Sequence, residues 1–297
     1  MKGLLLAGGH GTRLRPLTFS GNKHMIPIAN QPMLFYGLRH LAEAGIRDVG
    51  VILGPVHEGI EEAVGDGAAF GLRVTYIHQG DPRGLADAVR CARDFLADDP
   101  FVMYLGDNLL QQGALPFVRL FEREAPAAVV GATPVADPRS YGVVELDERG
   151  EIASIAEKPA HPKSSLALIG VYLFTPSIHD VVARLRPSAR GEYEITDAIW
   201  ELHRTGARVA VQRVEGWWKD TGRPEDLLEA NERILRSLPV DRLRSEGTIE
   251  PGAVVHGAVA VGAGSVVRAG ATLEGPSVIG SDCEIGPGSV VGPVAAL

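Results

Sequence analysis

A glycine-rich turn near the N-terminus carries the first candidate chemistry. In LLLAGGHGTRLRP (residues 4–16), four apolar residues lead into Gly8, Gly9 and Gly11, and Arg13 follows. The exposed N–H groups of such a turn can cradle an anion, and the guanidinium fork suits phosphate. The stretch lacks the third glycine of the dinucleotide fingerprint and the Gly-Lys-Ser/Thr of the P-loop. Two readings stay open: a phosphate-binding turn, and a plain turn with a surface arginine.

Two aspartates are candidates for holding a divalent cation. Asp107 follows an apolar run in FVMYLGDN, and Asp220 follows two tryptophans in GWWKDTG. Mg²⁺ prefers one or two carboxylates together with phosphate oxygens, so the pair fits this ion. The alternatives are a plain turn at Asp107 and core tryptophans before a helix that begins at Pro224. The histidines have no zinc-site spacing and GxSxG is missing, which argues against a zinc enzyme and a serine hydrolase.

Three cations and one amide complete the set of candidate groups. Lys23 lies in GNKHMIP, Lys158 in AEKP and Arg190 in RGEYEITDA, and a cation of this kind taken alone is more often a solvated surface residue. Gln79, in IHQGDPRG, ends an apolar run just as Asp107 does. Chain segments that end strands of one parallel sheet meet at the same edge, where ligands bind.

Composition limits the classes of partner and compartment. The 29 Lys and Arg against 37 Asp and Glu give a net charge of −8, which argues against nucleic-acid binding. No apolar run approaches the roughly 18 residues of a membrane-spanning helix, and the N-terminal apolar stretch is too short for a signal peptide. Cys91 and Cys283 lie far apart without metal-ligand spacing, so we expect a reduced, cytoplasmic protein without membrane contact.

Alternating apolar strands and amphipathic helices must position these groups. Short apolar runs predict strands at 2–7, 48–53, 72–77 and 101–106, and a helical apolar stripe covers 84–97. A further helix is predicted after Pro32, ending at Gly45. This alternation predicts an α/β fold, a Rossmann-like, mostly parallel sheet with helices on both faces.

The tail has a different period. Branched apolar residues recur every six positions at 249, 255, 261, 267, 273, 279, 285 and 291, which is typical of hexapeptide β-helix repeats. We therefore predict a catalytic domain over 1–240 and a small left-handed parallel β-helix over 241–297. Because the repeat is still in register near Leu297, we expect either a longer natural chain or a last coil packed on another surface, such as a partner subunit.

The motifs taken together resemble the sugar-1-phosphate nucleotidyltransferases. LAGGHGTRLRPLT, NKHMIPIANQPM, GLADA, YLGDN, YGVVE, EKP, RGEYEITDA and WWKDTG occur in this order, and they are most similar to the thymidylyl-transferring members with a β-helical tail. The resemblance implies Mg²⁺-dependent transfer of a nucleotidyl group from dTTP to α-D-glucose 1-phosphate, which yields dTDP-glucose and pyrophosphate. The open end of the tail, as described above, leads us to expect a homo-oligomer.

The resemblance assigns roles by position. Catalytic residues would be Arg13, Lys23, Asp107, Lys158 and Asp220, of which Asp107 and Asp220 would hold Mg²⁺. The nucleotide would contact Leu6, Gly8, Gly9, Gly11, Thr12, Arg13, Gln79, Gly84 and Asp107, with Gln79 reading the pyrimidine edge. The sugar phosphate would contact Asn108, Gly142, Glu157, Lys158, Leu168, Gly170 and Arg190.

Two departures from the family pattern and three alternatives remain. His24 replaces the more usual glutamine, and Ile169 replaces a threonine that shorter members carry beside the sugar. UTP in place of dTTP stays open, because uracil and thymine offer Gln79 the same edge. A non-catalytic regulatory homologue and an acyltransferase built on the hexapeptide tail are the other two readings.

Overall fold

The computed structural model describes residues 1–19, 21–238 and 245–297. They form two compact units: Met1–Met25 with Leu34–Asp220, and Ile26–Met33 with Thr221–Leu297. The boundary predicted between residues 240 and 241 lies outside the described residues. Among the residues described, no helix is both long enough and apolar enough to cross a membrane.

The elements before the tail alternate along the chain. The strands are β1 (Lys2–Ala7), β2 (Pro27–Ile28), β3 (Gln31–Pro32), β4 (Asp48–Leu53), β5 (Arg73–His78), β6 (Phe101–Leu105), β7 (Asn108–Leu110), β8 (Ala128–Pro134), β9 (Gly142–Leu146), β10 (Ile152–Glu157), β11 (Leu166–Phe174), β12 (Val209–Arg213) and β13 (Trp218–Asp220). The helices are α1 (Met33–Glu43), α2 (Ile60–Val64), α3 (Leu85–Cys91), α4 (Arg93–Leu96), α5 (Leu115–Glu124), α6 (Ile178–Arg184), α7 (Ile195–Arg204) and α8 (Pro224–Ser237).

The predicted elements of the first unit are confirmed, with small differences. β1 and β4 have the predicted bounds, β5 is shifted by one residue, and β6 ends one residue early. The helix predicted over 84–97 is split at Ala92, whose φ of −87° and ψ of 5° separate α3 from α4.

The sheet of the first unit has nine strands and is mixed. Along its main path the order is β10-β9-β11-β6-β1-β4-β5, with β8 and then β12 attached to β11. β4, β5 and β6 run parallel to β1, whereas β11 runs antiparallel to β6, β8 and β9. The α/β class is confirmed, and the parallel half carries the near-continuous apolar strands expected of a sheet buried on both faces.

Helices cover both faces of this sheet, because alternate residues of β1 point to opposite sides. Leu4 and Leu6 pack with residues of α3, α6 and α7. Leu5 and Ala7 pack with residues of α1 and α5. The carboxyl ends of β1, β5 and β6 therefore lie at one edge, held by core on both sides.

The tail of the second unit is a parallel β-helix. Its strands are β14 (Thr248–Ile249), β15 (Val254–His256), β16 (Val259–Val261), β17 (Val266–Val267), β18 (Thr272–Glu274), β19 (Ser277–Ile279), β20 (Glu284–Ile285) and β21 (Val290–Val291). They form the parallel sheets β14-β17-β20, β15-β18-β21 and β16-β19, one for each face of the coil. Every strand contains one residue of the six-residue period, so the predicted repeat is confirmed.

A hairpin and a helix of the second unit hold the last coil. The β2–β3 turn places Ala29 and Asn30 at φ of 48° and 62°, the left-handed pair that a two-residue hairpin turn needs. Asn30 Nδ2 donates to the Leu297 carbonyl, and Asn231 of α8 donates to the Val294 carbonyl while accepting from Ala29 N. These hydrogen bonds join the hairpin and α8 to the last coil, and packing of that coil on a partner subunit stays a prediction.

Replacing Asn231 by alanine should destabilise the second unit. The change leaves the Ala29 N–H and the Val294 carbonyl without their side-chain partner, so we expect the free energy of unfolding to fall by about 1–3 kcal/mol. Urea denaturation followed by circular dichroism measures this. Glu232→Ala is the matched control, because Glu232 makes an exposed ion pair with Arg236 that is worth about 0.5 kcal/mol or less. Equal losses in the two variants would contradict the role of Asn231.

Candidate active site

The glycine turn after β1 is shaped by close backbone approach. A Cβ on Gly54 would lie 2.1 Å from the carbonyl oxygen of Gly8, so only glycine fits where the chain after β4 meets the turn. Gly11 has a φ of 63°, and its carbonyl accepts a hydrogen bond from Thr18 Oγ1 at 2.8 Å. The turn is therefore fixed from both sides before any ligand arrives.

Lys23 connects this turn to Asp107. A Cβ on Gly9 would lie 3.2 Å from Lys23 Nζ, which places the ammonium against the turn. The same Nζ donates a short hydrogen bond to Asp107 Oδ2, and both side chains are largely buried. Burial alone would raise the pKa of Asp107, but the Lys23 charge and hydrogen bonds from Lys23 and Asn108 hold that pKa below its usual range. Asp107 is therefore a carboxylate at neutral pH.

The side-chain amide of Asn108 makes hydrogen bonds to three other residues of the site. Its Nδ2 donates to Asp107 Oδ1 at 3.0 Å. Its Oδ1 accepts from the backbone N–H of Gly170 at 3.1 Å and from the indole of Trp218 at 2.7 Å. Since the side chain is buried and two donors hold its oxygen, only its NH₂ group can face Asp107.

The second aspartate reaches the site through a short antiparallel pair. β13 pairs with β7 so that Asp220 lies opposite Asn108, the residue that follows Asp107. The two carboxylates thus lie at the same end of this ladder, Asp220 in its last pair and Asp107 one residue before it along the chain. No cluster of three or more His, Cys, Asp or Glu side chains suited to a metal occurs in the described ranges. A pair with room for substrate oxygens fits Mg²⁺, which rarely takes an all-protein cage.

His24 is a buried neutral ring beside these charges. It is 2% exposed, and its Nδ1 lies 2.7 Å from Asn22 Oδ1. Burial, with the charge of Lys23 adding to it, lowers the pKa of His24 to about 3. The histidine that departs from the family pattern is therefore an uncharged packing group. Asn22 in turn donates to the carbonyls of Ala7 and Val56, which flank the glycine turn.

Glu157, Lys158 and Arg190 form a second charged group. Glu157, at the end of β10, accepts a hydrogen bond from Thr196 of α7 at 3.1 Å. Its other oxygen lies 3.5 Å from Lys158 Nζ and 3.5 Å from Arg190 Nη1. Gly142 lies opposite Glu157 in the β9–β10 ladder. Arg190 also pairs with Glu192 at 2.9 Å and with Glu194 at 3.2 Å, so the two cations stand among three carboxylates, and Lys158 is the cation with the fewest acidic partners.

The β11 segment joins the two groups. Gly170 donates to Asn108, while Leu168 lies near Gly142, where a Cβ would stand 3.3 Å from Leu168 Cδ1. Ile169 between them is fully buried in the core on the other face of the sheet, with Phe117 and Val171. The departure noted at Ile169 is thus a core residue, because strand alternation turns its side chain away from Leu168.

Gln79 and Gly84 lie beside the glycine turn. A Cβ on Gly8 would lie 3.3 Å from Gln79 Oε1. Gly84 has a φ of 109°, and a Cβ there would meet the Tyr193 carbonyl oxygen at 2.4 Å, so the position admits only glycine. The amide and the turn therefore share one end of the site.

Three residues of the predicted nucleotide set stand apart from these contacts. Thr12 and Arg13 are exposed on a short 3₁₀ turn, Thr12–Leu14, and in the part of the chain that the structure describes no hydrogen bond or ion pair joins Arg13 to another candidate. Leu6 is 7% exposed and packs in the core. Their contribution to binding remains a prediction.

Sequence reasoning missed three positioning residues: Trp218, Thr196 and Asn22. Trp218 left one signal, because an indole N–H buried next to a polar turn must find an acceptor. Thr196 and Asn22 gave no such signal in the sequence. Thr196 bonds to Glu157, 39 residues away along the chain, and Asn22 bonds to Val56, 34 residues away.

Comparison with known proteins gives consistent matches. Residues 2–237 match the family model described as nucleotidyl transferase. A glucose-1-phosphate thymidylyltransferase of Streptomyces antibioticus is 50% identical over 100% of this chain and 82% of its own length. Two solved structures are also similar. A Bacillus anthracis protein, solved with sucrose as a candidate glucose-1-phosphate thymidylyltransferase, has a TM-score of 0.74 and 37% identity over 80% of this chain and 96% of its own. A UDP-glucose pyrophosphorylase with UDP-glucose has a TM-score of 0.71 and 25% identity over 80% and 99%.

Replacing Trp218 by phenylalanine should weaken divalent-metal binding. Asn108 Oδ1 then keeps only the Gly170 donor, so its hold on Asp107 loosens, and outer-shell partners of metal ligands typically contribute 10–100-fold in affinity. We expect about tenfold weaker binding of Mn²⁺, used as a paramagnetic probe. Trp200→Phe, on α7 and stacked on His203, is the control with the same chemical change. Unchanged Mn²⁺ affinity in Trp218→Phe would show that the indole bond has no part in the site.

Proposed function

The chain belongs to the nucleotidyl transferase family, and we propose that it transfers a thymidylyl group from dTTP to α-D-glucose 1-phosphate. The products would be dTDP-glucose and pyrophosphate. Enzymes of this family generally use a divalent metal ion, which we propose is Mg²⁺ here. The alternative nucleotide is UTP, because thymine and uracil differ by a methyl group that is worth only about 1–3 kcal/mol in a pocket.

One observation carries the proposal: Asn108 contacts both Asp107, beside the residues proposed for the triphosphate, and Gly170, among the residues proposed for the sugar phosphate. Its amide contacts Asp107, which Lys23 connects to the glycine turn. The amide also contacts Gly170, which is itself one of the residues proposed to contact the sugar phosphate. A triphosphate at the turn and a sugar phosphate near Glu157 would therefore meet beside Asp107. A non-catalytic binding protein has no need of such a junction.

The chemistry asks the protein for positioning and charge stabilisation. A phosphate oxygen of the sugar 1-phosphate attacks the α-phosphorus of the nucleotide, a P–O bond forms, and the bond to the β-phosphate oxygen breaks in line with it. The glycine turn, Arg13 and Lys23 would hold the triphosphate, and Lys158 and Arg190 would hold the sugar phosphate. No covalent enzyme intermediate is required. Glu157, with its Oε2 oriented by Thr196, would accept hydrogen bonds from sugar hydroxyls.

Asp107 and Asp220 would hold the Mg²⁺. When bound there, the ion would neutralise charge on the phosphate oxygens. Asp107 remains ionised because its pKa is lowered, so the carboxylate needs no deprotonation before it binds a cation.

We further propose a homo-oligomer that acts in the cytoplasm. Val254 and Val290 are exposed on either side of Thr272 in one sheet of the second unit, and a second subunit could cover these two apolar positions together. Cys91 and Cys283 are free thiols, as a reducing compartment would keep them. Native mass measurement tests the oligomer.

A pyrophosphate-release assay tests the proposed reaction. dTTP, UTP and dCTP would each be combined with glucose 1-phosphate, galactose 1-phosphate and N-acetylglucosamine 1-phosphate. We expect dTTP with glucose 1-phosphate to give the highest kcat/KM. Preference for UTP would replace the thymidylyl assignment, and no release from any pair would favour the regulatory homologue.

The carboxylate pair should dominate turnover. Asp107→Asn and Asp220→Asn each remove charge where Mg²⁺ and phosphate meet, so kcat/KM should fall at least about 100-fold with the fold retained. Asp180→Asn, at an exposed position of α6, is the control and should leave kcat/KM unchanged. Near-wild-type turnover in either site variant would remove that residue from the proposed metal site.

Arg13 and Lys158 should act on different kinetic constants. Arg13→Ala should lower kcat, because charge grows on the departing pyrophosphate only in the transition state. Lys158→Ala should mainly raise KM for the sugar phosphate, a group held alike in ground and transition states. Arg15→Ala and Lys163→Ala, at exposed neighbouring positions, are the matched controls. The reverse pattern would mean that the two cations have exchanged roles.

A further inference from the structure

A buried carboxylate lies directly behind Gln79. Asp87, in α3, is fully buried. One oxygen, Oδ1, lies 3.2 Å from Arg83 Nη2 and 3.7 Å from Arg90 Nη1. Both arginines can only donate hydrogen bonds, so the carboxylate of Asp87 faces them as an acceptor.

The second oxygen of Asp87 determines which way the Gln79 amide faces. Gln79 Nε2 donates to Asp87 Oδ2 at 3.1 Å, and it also lies 3.4 Å from the Gly84 carbonyl oxygen. Both neighbours are acceptors, so the NH₂ end of the amide must face them. The chemistry of the surroundings thus sets the orientation of the Gln79 amide.

The other end of the amide is left for a ligand. Gln79 Oε1 points toward Gly8, where a Cβ would lie 3.3 Å away. Within the described part of the chain no group donates a hydrogen bond to Oε1. The side of Gln79 that faces the glycine turn is therefore an acceptor only.

From this geometry we propose that Asp87 is a positioning residue for nucleotide choice, which holds Gln79 so that the site accepts pyrimidines with an N3–H and rejects cytosine. This rests on the proposed function, in which Gln79 reads the pyrimidine edge. Thymine and uracil carry a hydrogen at N3 that Oε1 can accept. Cytosine has a lone pair at N3, which would face the Oε1 lone pairs without a hydrogen between them.

The surroundings of Asp87 make the orientation rigid. Arg90 donates to the Val182 carbonyl at 2.9 Å, and its guanidinium lies 4.4 Å from the centre of the Tyr193 ring. Tyr193 in turn exchanges backbone hydrogen bonds with Arg83 and Ala86 on either side of Gly84. The Arg90 guanidinium is thus held on two sides, and the backbone of Arg83 is held by the segment that also shapes Gly84.

Asp87→Asn reverses the polarity of this contact with almost no change in shape. The two arginines can only donate, so they would take the Asn oxygen and leave its NH₂ group facing Gln79. That NH₂ needs an acceptor, so the shorter of the two Gln79 contacts then favours the amide turned over, with Nε2 toward the base, at the expense of the longer contact with the Gly84 carbonyl. Such a site suits the N3 lone pair of cytosine and leaves the N3–H of thymine without a partner.

The experiment compares kcat/KM for dTTP, dUTP and dCTP in the wild type, Asp87→Asn, Asp87→Glu and Asp94→Asn. In the wild type we expect dTTP over dCTP by at least about 100-fold, because a site built for one hydrogen-bond donor rejects the analogue that lacks it. Asp87→Asn should lower this ratio at least about tenfold, while the dTTP to dUTP ratio stays within about twofold, since both bases carry N3–H. Asp87→Glu keeps an acceptor and should retain the dTTP to dCTP ratio even where turnover falls. Asp94→Asn, exposed on α4, should behave as wild type.

The outcomes separate this inference from the proposed function. Equal loss with all three nucleotides in Asp87→Asn would show a merely structural role and overturn the inference. Efficient use of dCTP by the wild type would overturn it as well. Preference for UTP over dTTP would overturn the thymidylyl assignment, and the UTP to CTP ratio would then carry the same test. If the wild type turned over no nucleotide, the proposed function would fail, and the ratio of Kd values for dTTP and dCTP would decide the inference.

Discussion

The hydrogen bonds of one buried amide determine the geometry on which the site depends. Asn108 has one acceptor end and one donor end, and the structure uses both: Gly170 and Trp218 donate to the oxygen, and the NH₂ group holds Asp107. Gly170 lies in β11, Trp218 lies in β13, and Asp107 lies in the turn between β6 and β7, so the amide joins two strands to that turn. A buried amide with an unpaired end costs about 1–3 kcal/mol, which disfavours arrangements that leave either end of Asn108 without its partners.

The same contacts allow the charges of Lys23 and Asp107 to be buried as a pair. Lys23 and Asp107 lie largely out of water, where an isolated charge is costly and a close pair with further hydrogen bonds is tolerated. The neutral ring of His24 and the amide of Asn22 add polar contacts without adding charge. The site therefore keeps one ammonium and one carboxylate paired until phosphate oxygens and a cation can take over those contacts.

The parts of the fold that could be predicted are those in which apolar residues follow a regular pattern over a short stretch of the chain. The apolar runs of β1 and β4 and the six-residue repeat of the tail are such patterns, and the structure follows them. The antiparallel pairing of β11 with β6 was not predictable, because it depends on partners more than 60 residues away, as does the bond from Gly170 to Asn108. Ile169 was placed beside the sugar by its position in the family pattern. Its side chain instead points into the core, because side chains alternate along β11.

Both ends of the site contain a side-chain amide whose orientation is set by the hydrogen-bonding groups around it. Two donors fix Asn108, so its NH₂ group faces the carboxylate; two acceptors fix Gln79, so its oxygen faces the glycine turn. Neither amide needs a ligand to adopt its orientation, and preorganised groups bind without reorganisation during the reaction. The motif residues could therefore be recognised from sequence, whereas the side chains that orient them are apparent only once Trp218 and Asp87 are seen in place.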